Sequence, residues 1–188
     1  IIDYTTIAFM FLSGINFTLL YLATIKMRVR DLLRDAEFHF YLMLILVCTA
    51  FITLCLTVSE PHYDLATGFR NALFQVVSFL TTTGVFNDNA YEWPRISWFM
   101  LVVLMFIGGC AGSTSGGFKC MRAVMVIRLV RNELKKLVHP RAVLPLKING
   151  TAIVSAQQVT LLVFLVVYFL LCVVTYCVLM IFDHDWID

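Results

Sequence analysis

The sequence predicts an all-α membrane protein, and three observations predict it. Of its 188 residues 61% are apolar and 14% charged, against roughly 45–50% and about 25% in ordinary soluble domains. The mean hydropathy is +0.88. Long apolar runs also end alternately in basic and acidic clusters, as spans that cross a bilayer in alternating directions do. Because about 20 helical residues cross the hydrocarbon, a chain of this length supplies several spans and little extramembrane machinery. A self-contained soluble enzyme is excluded, and a net charge of +2 is too small for a nucleic-acid footprint. The expected partner is the lipid bilayer.

The first apolar run, from about Ile7 to Ile25, ends in Lys26, Arg28, Arg30 and Arg34, which reads as a span with a cytoplasmic end. The second, from Phe38 to about Val58, holds no charged residue and stops at Glu60, Pro61 and Asp64 on the outer side. The next helical stretch, about Thr67 to Leu80, contains Arg70, Asn71 and Gln75. It is too short and too polar to cross, and with the polar return SFLTTTGVFNDN behind it reads as a re-entrant hairpin. Such a hairpin is tolerated at membrane depth only inside protein or beside a water-filled cavity.

A further apolar run, about Ile96 to Ile107, meets GGCAGSTSGGFK, where the helix should break before resuming from about Phe118 to the basic end near Val138. HPRAVLPLKING reads as a cytoplasmic connection, and a long helix from about Thr151 to Phe182 returns outward to the acidic stop DHDWID. This topology leaves only Arg70 and Arg95 of the 14 basic residues outside, as positive-inside sorting requires. The six cysteines include no CxxC pair and read as small buried residues. The sequence opens on IIDYTTIAFMFL, without Met or a signal-peptide pattern, which reads as a piece of a larger chain.

The run after Leu80 is the most informative local feature. A dehydrated cation needs oxygens in place of water, and a narrow loop can present the carbonyls of Thr81, Thr82, Thr83 and Gly84 to one. Gly84 permits the bend, and the preceding short helix directs its negative end the same way. TTTG by itself is also an ordinary turn; the polar helix before it and the spans around it favour the cation reading. Asp88 and Glu92 either enrich cations at an outer mouth or form a plain solvated loop.

The glycine run fails as a phosphate loop. Gly112 and Gly117 have the G-x-x-x-x-G spacing, but Phe118 displaces Lys119 by one place and Cys120 stands where Ser or Thr is required. Gly108, Gly109, Gly112, Ser113, Thr114, Ser115, Gly116 and Gly117 instead form a flexible intramembrane segment that can obstruct or widen a pathway, or else a small-residue packing contact. Lys119 and Arg122 can neutralise that segment, hold an acidic partner, repel cations, or simply anchor the inner side. Arg70 is expected to pair locally or reach water. The four histidines occur singly at predicted membrane edges and read as interface or loop residues.

Taken together, INFTLLY at 15–21, TTTG at 81–84, GGCAGSTSGGFK at 108–119 with Arg122 following, and HPRAVLPLKING at 139–150 closely resemble the bacterial potassium-uptake membrane subunits of the Trk/Ktr superfamily, TrkH type. The resemblance implies a fold of helix–pore-hairpin–helix repeats in a potassium-channel-like transporter of the bacterial inner membrane, with four repeats around one path. Residues 1–30 then look like the end of the preceding repeat, 38–138 like one repeat with a broken second helix, and 151–188 like the first helix of the following repeat. The filter role carries over to Thr81, Thr82, Thr83, Gly84 and Val85, with potassium at Thr82, Thr83 and Gly84. The gating role carries over to Gly108 through Gly117, followed by Lys119 and Arg122.

The resemblance further implies the remaining repeats of the same subunit, a membrane homodimer and a cytoplasmic nucleotide-binding regulatory subunit as partners. Potassium is the transported ligand, with no cofactor in this chain and no enzymatic reaction. One hairpin cannot surround an ion, so the segment alone should form no selective pore. A structural or assembly segment and a secondary transporter of another small solute are the competing readings.

Overall fold

The computed structural model describes residues 2–59, 64–87, 93–138, 147–149, 151–152 and 155–182. Expectations for Glu60, Asp88, Glu92, the DHDWID stop and most of HPRAVLPLKING lie outside these residues. The chain divides into two units, residues 1–127 and 128–188.

The expected first span is a bent pair, α1 (Ile2–Ser13) and α2 (Phe17–Thr24), whose axes turn by 107° at the break. The break falls at Ser13-Gly14-Ile15-Asn16, where polar and small residues interrupt the apolar run. Asn16 is extended and its side chain accepts from the Thr18 N–H at 2.9 Å, so it starts a new helix as an N-cap. Gly14 allows the close approach that the turn needs, because a Cβ there would collide with the Tyr41 hydroxyl and the Thr81 methyl. A short helix, α3 (Val29–Arg34), follows with an Arg28–Asp31 ion pair at 2.9 Å.

The second span is α4 (Ala36–Ser59), started by Asp35, whose carboxylate accepts from the N–H groups of Glu37 and Phe38 at 2.8 and 3.0 Å. Tyr41, Ile45, Cys48, Ile52 and Leu56 form its buried stripe at helical spacing. Met43, Leu46, Val47, Leu54 and Val58 are exposed on the other side, as suits lipid or further helices.

Helix α5 (Leu65–Leu80) is the short polar element, and it packs against α1, α4 and α6 (Arg95–Ile107). Nearly every residue from Asn71 to Leu80 is buried, Gln75 and Ser78 completely. Its polar backbone and side chains are thus shielded by protein, the condition under which a helix too short to span survives at membrane depth. Phe79 meets Phe86 and Trp98 edge to face, with ring centroids 5.6 and 6.0 Å apart, which seats the hairpin against α6.

Helix α6 breaks at Gly108 and the chain resumes as α7 (Cys120–Val138). In the second unit, β1 (Lys147–Ile148) pairs antiparallel with β2 (Thr151–Ala152) around a turn where Asn149 has φ 48°, a conformation Asn tolerates. The expected helix from Thr151 therefore begins later, as α8 (Ser155–Phe182). Among the described residues, α4 and residues 157–181 are long and apolar enough to cross a membrane, and the bent pair makes a third if taken as one span. The cysteine expectation holds for Cys48, Cys110 and Cys120, whereas Cys55 and Cys172 are half-buried and Cys177 is exposed. These last lie on apolar helix surfaces that the chain itself does not cover.

Candidate functional site

The loop after α5 is built by its own side chains. Thr81 caps the helix: its N–H and hydroxyl both donate to the Val77 carbonyl, at 2.9 and 2.8 Å. Its hydroxyl also lies 2.8 Å from that of Thr83. The Thr83 N–H donates to the Ser78 carbonyl at 2.9 Å. Ser78 then grips the outgoing strand, its hydroxyl donating to the Val85 carbonyl at 2.7 Å and accepting from the Val85 N–H at 2.9 Å. Behind this, the Asn87 side chain bridges Gln75 and Asn71 at 3.3 and 3.4 Å.

These bonds hold the loop in a conformation its residues would not choose alone. Thr82 has φ 55° and Gly84 φ 72°, so two alternate residues are left-handed, a costly state for threonine. Among the described residues, none of the carbonyls of Thr81, Thr82, Thr83 and Gly84 accepts a hydrogen bond. Thr81 is buried and Thr82 through Val85 are exposed. Four free carbonyls at the negative end of a buried helix form a region of negative potential suited to a cation. Arg70 keeps away from it: it reaches the adjacent Asn71 at 3.4 Å, the local contact expected, and its ion pair at 3.5 Å is with Asp3 of α1.

The glycine run forms a lobe on a helix that is broken but not abandoned. The orphan carbonyls at the end of α6 receive donors from across the lobe: Phe118 N–H to Phe106 at 2.9 Å, Lys119 to Ile107 at 2.7 Å, and Cys120 to Gly109 at 2.9 Å. These bonds join the two helix ends across the break and leave residues 110–117 as an excursion. The neck needs glycine, since a Cβ on Gly108 would strike the Gly116 carbonyl. Within the lobe Ser113 and Ser115 hydroxyls are 2.7 Å apart, and Ser115 accepts from the Gly109 N–H at 3.0 Å. Lys119 turns its ammonium inward to the carbonyls of Ser113 and Ser115. It forms no ion pair among the described residues, so of the roles open to it, neutralising the lobe is the one its contacts favour. Arg122 donates to the Phe118 carbonyl at 3.4 Å.

Neighbouring elements hold the lobe. Cys110 N–H donates to Gly14, Thr114 N–H to Ser13, and Phe17 N–H to Gly112, at 3.0, 3.3 and 3.1 Å. Gly116 N–H donates to the Thr82 hydroxyl at 2.7 Å. The buried Glu37 accepts from the N–H groups of Ala111 and Met121. The two predicted clusters are thereby brought together, while Ser13, Glu37 and Ser78 are participants that sequence reasoning missed. Glu37 carried a usable signal: a second acid, two residues after the Asp35 cap, at the start of an apolar span.

The TrkH family model, described as a cation transport protein, matches residues 1–185. The chain belongs to the TrkH family. It is 35% identical to the Trk system potassium uptake protein TrkH of Halomonas elongata over 146 residues, covering 78% of this chain and 30% of that protein. With the Vibrio parahaemolyticus protein of the same name it is 37% identical over 158 residues, covering 81% and 32%. The crystal structure of the potassium transporter TrkH from Vibrio parahaemolyticus superposes with a TM-score of 0.89 at 34% identity, covering 98% of this chain and 40% of that one. The chain thus spans about a third of the length of the TrkH proteins it matches. TrkH membership and the spans make it a multi-pass protein of the bacterial inner membrane and a member of a cation-transport family.

Proposed function

We propose that this chain is part of a potassium-translocating subunit and supplies one of the several hairpins that together enclose the ion. The observation that carries the reading is the set of four free carbonyls from Thr81 to Gly84 on a protein-shielded helix end. Their oxygens exchange for hydration water as potassium passes, with Thr82, Thr83 and Gly84 as the contact positions and Val85 as the exit anchored to Ser78. Potassium is the ion that the matched relatives are named for.

In this reading residues 1–30 close the preceding repeat, 38–138 form one full repeat and 151–188 open the next. Gly108 through Gly117 act as a gate, held by Lys119, with Arg122 at its base. The remaining repeats of the subunit complete the filter. A membrane homodimer and a cytoplasmic nucleotide-binding regulatory subunit are the proposed partners. No covalent chemistry is required.

The test is potassium and sodium flux into vesicles holding the full-length protein with Gly84 substituted. Among the described residues a Cβ at Gly84 meets nothing within 4 Å, but φ is +72°, so Gly84→Ala strains the backbone whatever the space around it. Gly84→Ala is expected to lower potassium flux and preference, and Gly84→Asn, which accepts left-handed φ, to retain more of both. Flux and ion preference untouched by Gly84→Ala would leave a structural role for TTTG.

A further inference from the structure

Glu37 is 1% exposed in the first turn of α4, 74 and 84 residues from the two backbone groups that it binds. The same carboxylate oxygen accepts from both. Ala111 N–H lies on the way into the lobe. Met121 N–H follows directly upon the three donors, Phe118, Lys119 and Cys120, that close the neck onto α6. Backbone bonding resumes with Arg122 and Ala123, both donating to the Lys119 carbonyl. One buried carboxylate therefore fills the gap in the backbone ladder across the helix break. A buried carboxylate is stable only where donors surround it, and here the lobe provides one through Ala111 and the first turn of α7 the other through Met121.

We propose that Glu37 is a positioning residue for the intramembrane lobe, a latch whose two bonds fix the neck and hold the lobe across the pathway. Moving the lobe aside separates Ala111 from Glu37, whereas Met121, in the first turn of α7, stays. The acid thus sets how readily the lobe yields without touching the ion. This rests on the gate assigned above, so the experiment separates the two.

Rubidium flux is measured in vesicles with the full-length protein and its Glu37→Ala, Glu37→Gln and lobe-shortened (Gly112–Gly116) variants, and with each Glu37 change placed in the shortened background. Peptide-resolved thiol labelling of Cys110, 1% exposed, reports lobe displacement directly. Loss of the charge-assisted Ala111 bond, the one that breaks when the lobe moves, should raise flux on the order of tenfold in Glu37→Ala, and the neutral acceptor of Glu37→Gln about threefold. Cys110 labelling should rise in the same order. In the shortened background neither change should add to flux.

If Glu37→Ala does not yield monodisperse protein, Glu37→Gln carries the test. The proposal is overturned by unchanged flux and labelling in Glu37→Gln, by a fall in its flux, or by equal increases with and without the lobe. If shortening raises flux while the Glu37 variants match wild type, the latch fails and the gate stands. If shortening leaves flux unchanged, the gate fails and the latch with it.

Discussion

The Thr82 hydroxyl accepts the Gly116 N–H at 2.7 Å, which joins the loop after α5 to the returning end of the glycine lobe, beside its neck. Both residues are exposed in the chain, and the hydroxyl belongs to a residue held at φ 55°. The left-handed turn at Thr82 and the position of the lobe are therefore mutually supporting. Release of the lobe removes a partner from the strained residue, so the two loops cannot be repositioned independently.

Thr82→Val tests this link, because it keeps the branched shape and removes the acceptor. One hydrogen bond contributes about 0.5–1.5 kcal/mol, so the ratio of displaced to seated lobe should rise roughly two- to tenfold. Cys110 labelling and rubidium flux in vesicles both report it. Thr82→Ser, which retains the hydroxyl, should stay near wild type, and equal behaviour of the two variants would remove the link.

Elements whose signal is local were legible in the sequence. The uncharged run from Phe38 to Val58 announced α4, the polar residues Arg70, Asn71 and Gln75 marked α5 as a helix that does not span, and five glycines within ten residues marked the break after Ile107. The bend at Gly14–Asn16 has a local signal in Ser13, Gly14 and Asn16, which interrupt the apolar run, but the apolar stretches on either side read as one span, and the crowding of Gly14 by Tyr41 is visible only in the fold. The bonds that seat the lobe were hidden for a different reason. Glu37–Ala111 and Thr114–Ser13 join residues 74 and 101 apart, and no periodicity encodes such a pairing. The short β1–β2 pair has only two residues in each strand, too few for an alternation to register.

Two glycines of the same run should respond differently to alanine. A Cβ at Gly108 meets the Gly116 backbone carbonyl, and φ there is +74°; backbone cannot move aside as a flexible side chain can. At Gly116 the nearest atom is the Thr82 hydroxyl at 3.5 Å, ordinary contact distance. Gly108→Ala is expected to lower the melting temperature in detergent by several degrees, at a cost of about 1–3 kcal/mol for the strained backbone. Gly116→Ala should fall within about 1 kcal/mol of wild type. Thermal unfolding by intrinsic tryptophan fluorescence of the full-length protein measures both, and similar losses at the two positions would show that the neck geometry is not the discriminating factor.

Lys119 offers the last test, because its ammonium contacts separate a tether from a charge barrier. The side chain reaches the carbonyls of Ser113 and Ser115 from a residue with φ 79°, so it ties the lobe back to the start of α7. A hydrogen bond from a charged donor contributes about 1.5–3 kcal/mol, and each 1.4 kcal/mol is about tenfold in an equilibrium. Lys119→Met should therefore raise rubidium flux on the order of tenfold, with Lys119→Arg near wild type. Lys119→Gln decides between the mechanisms, since it loses the charge and keeps an N–H donor. A tether predicts flux between wild type and the Met variant; repulsion of cations by a fixed positive charge predicts equal increases in Gln and Met. Measuring the three variants at low and high salt strengthens the separation, because screening reduces a charge barrier and leaves a contact bond in place.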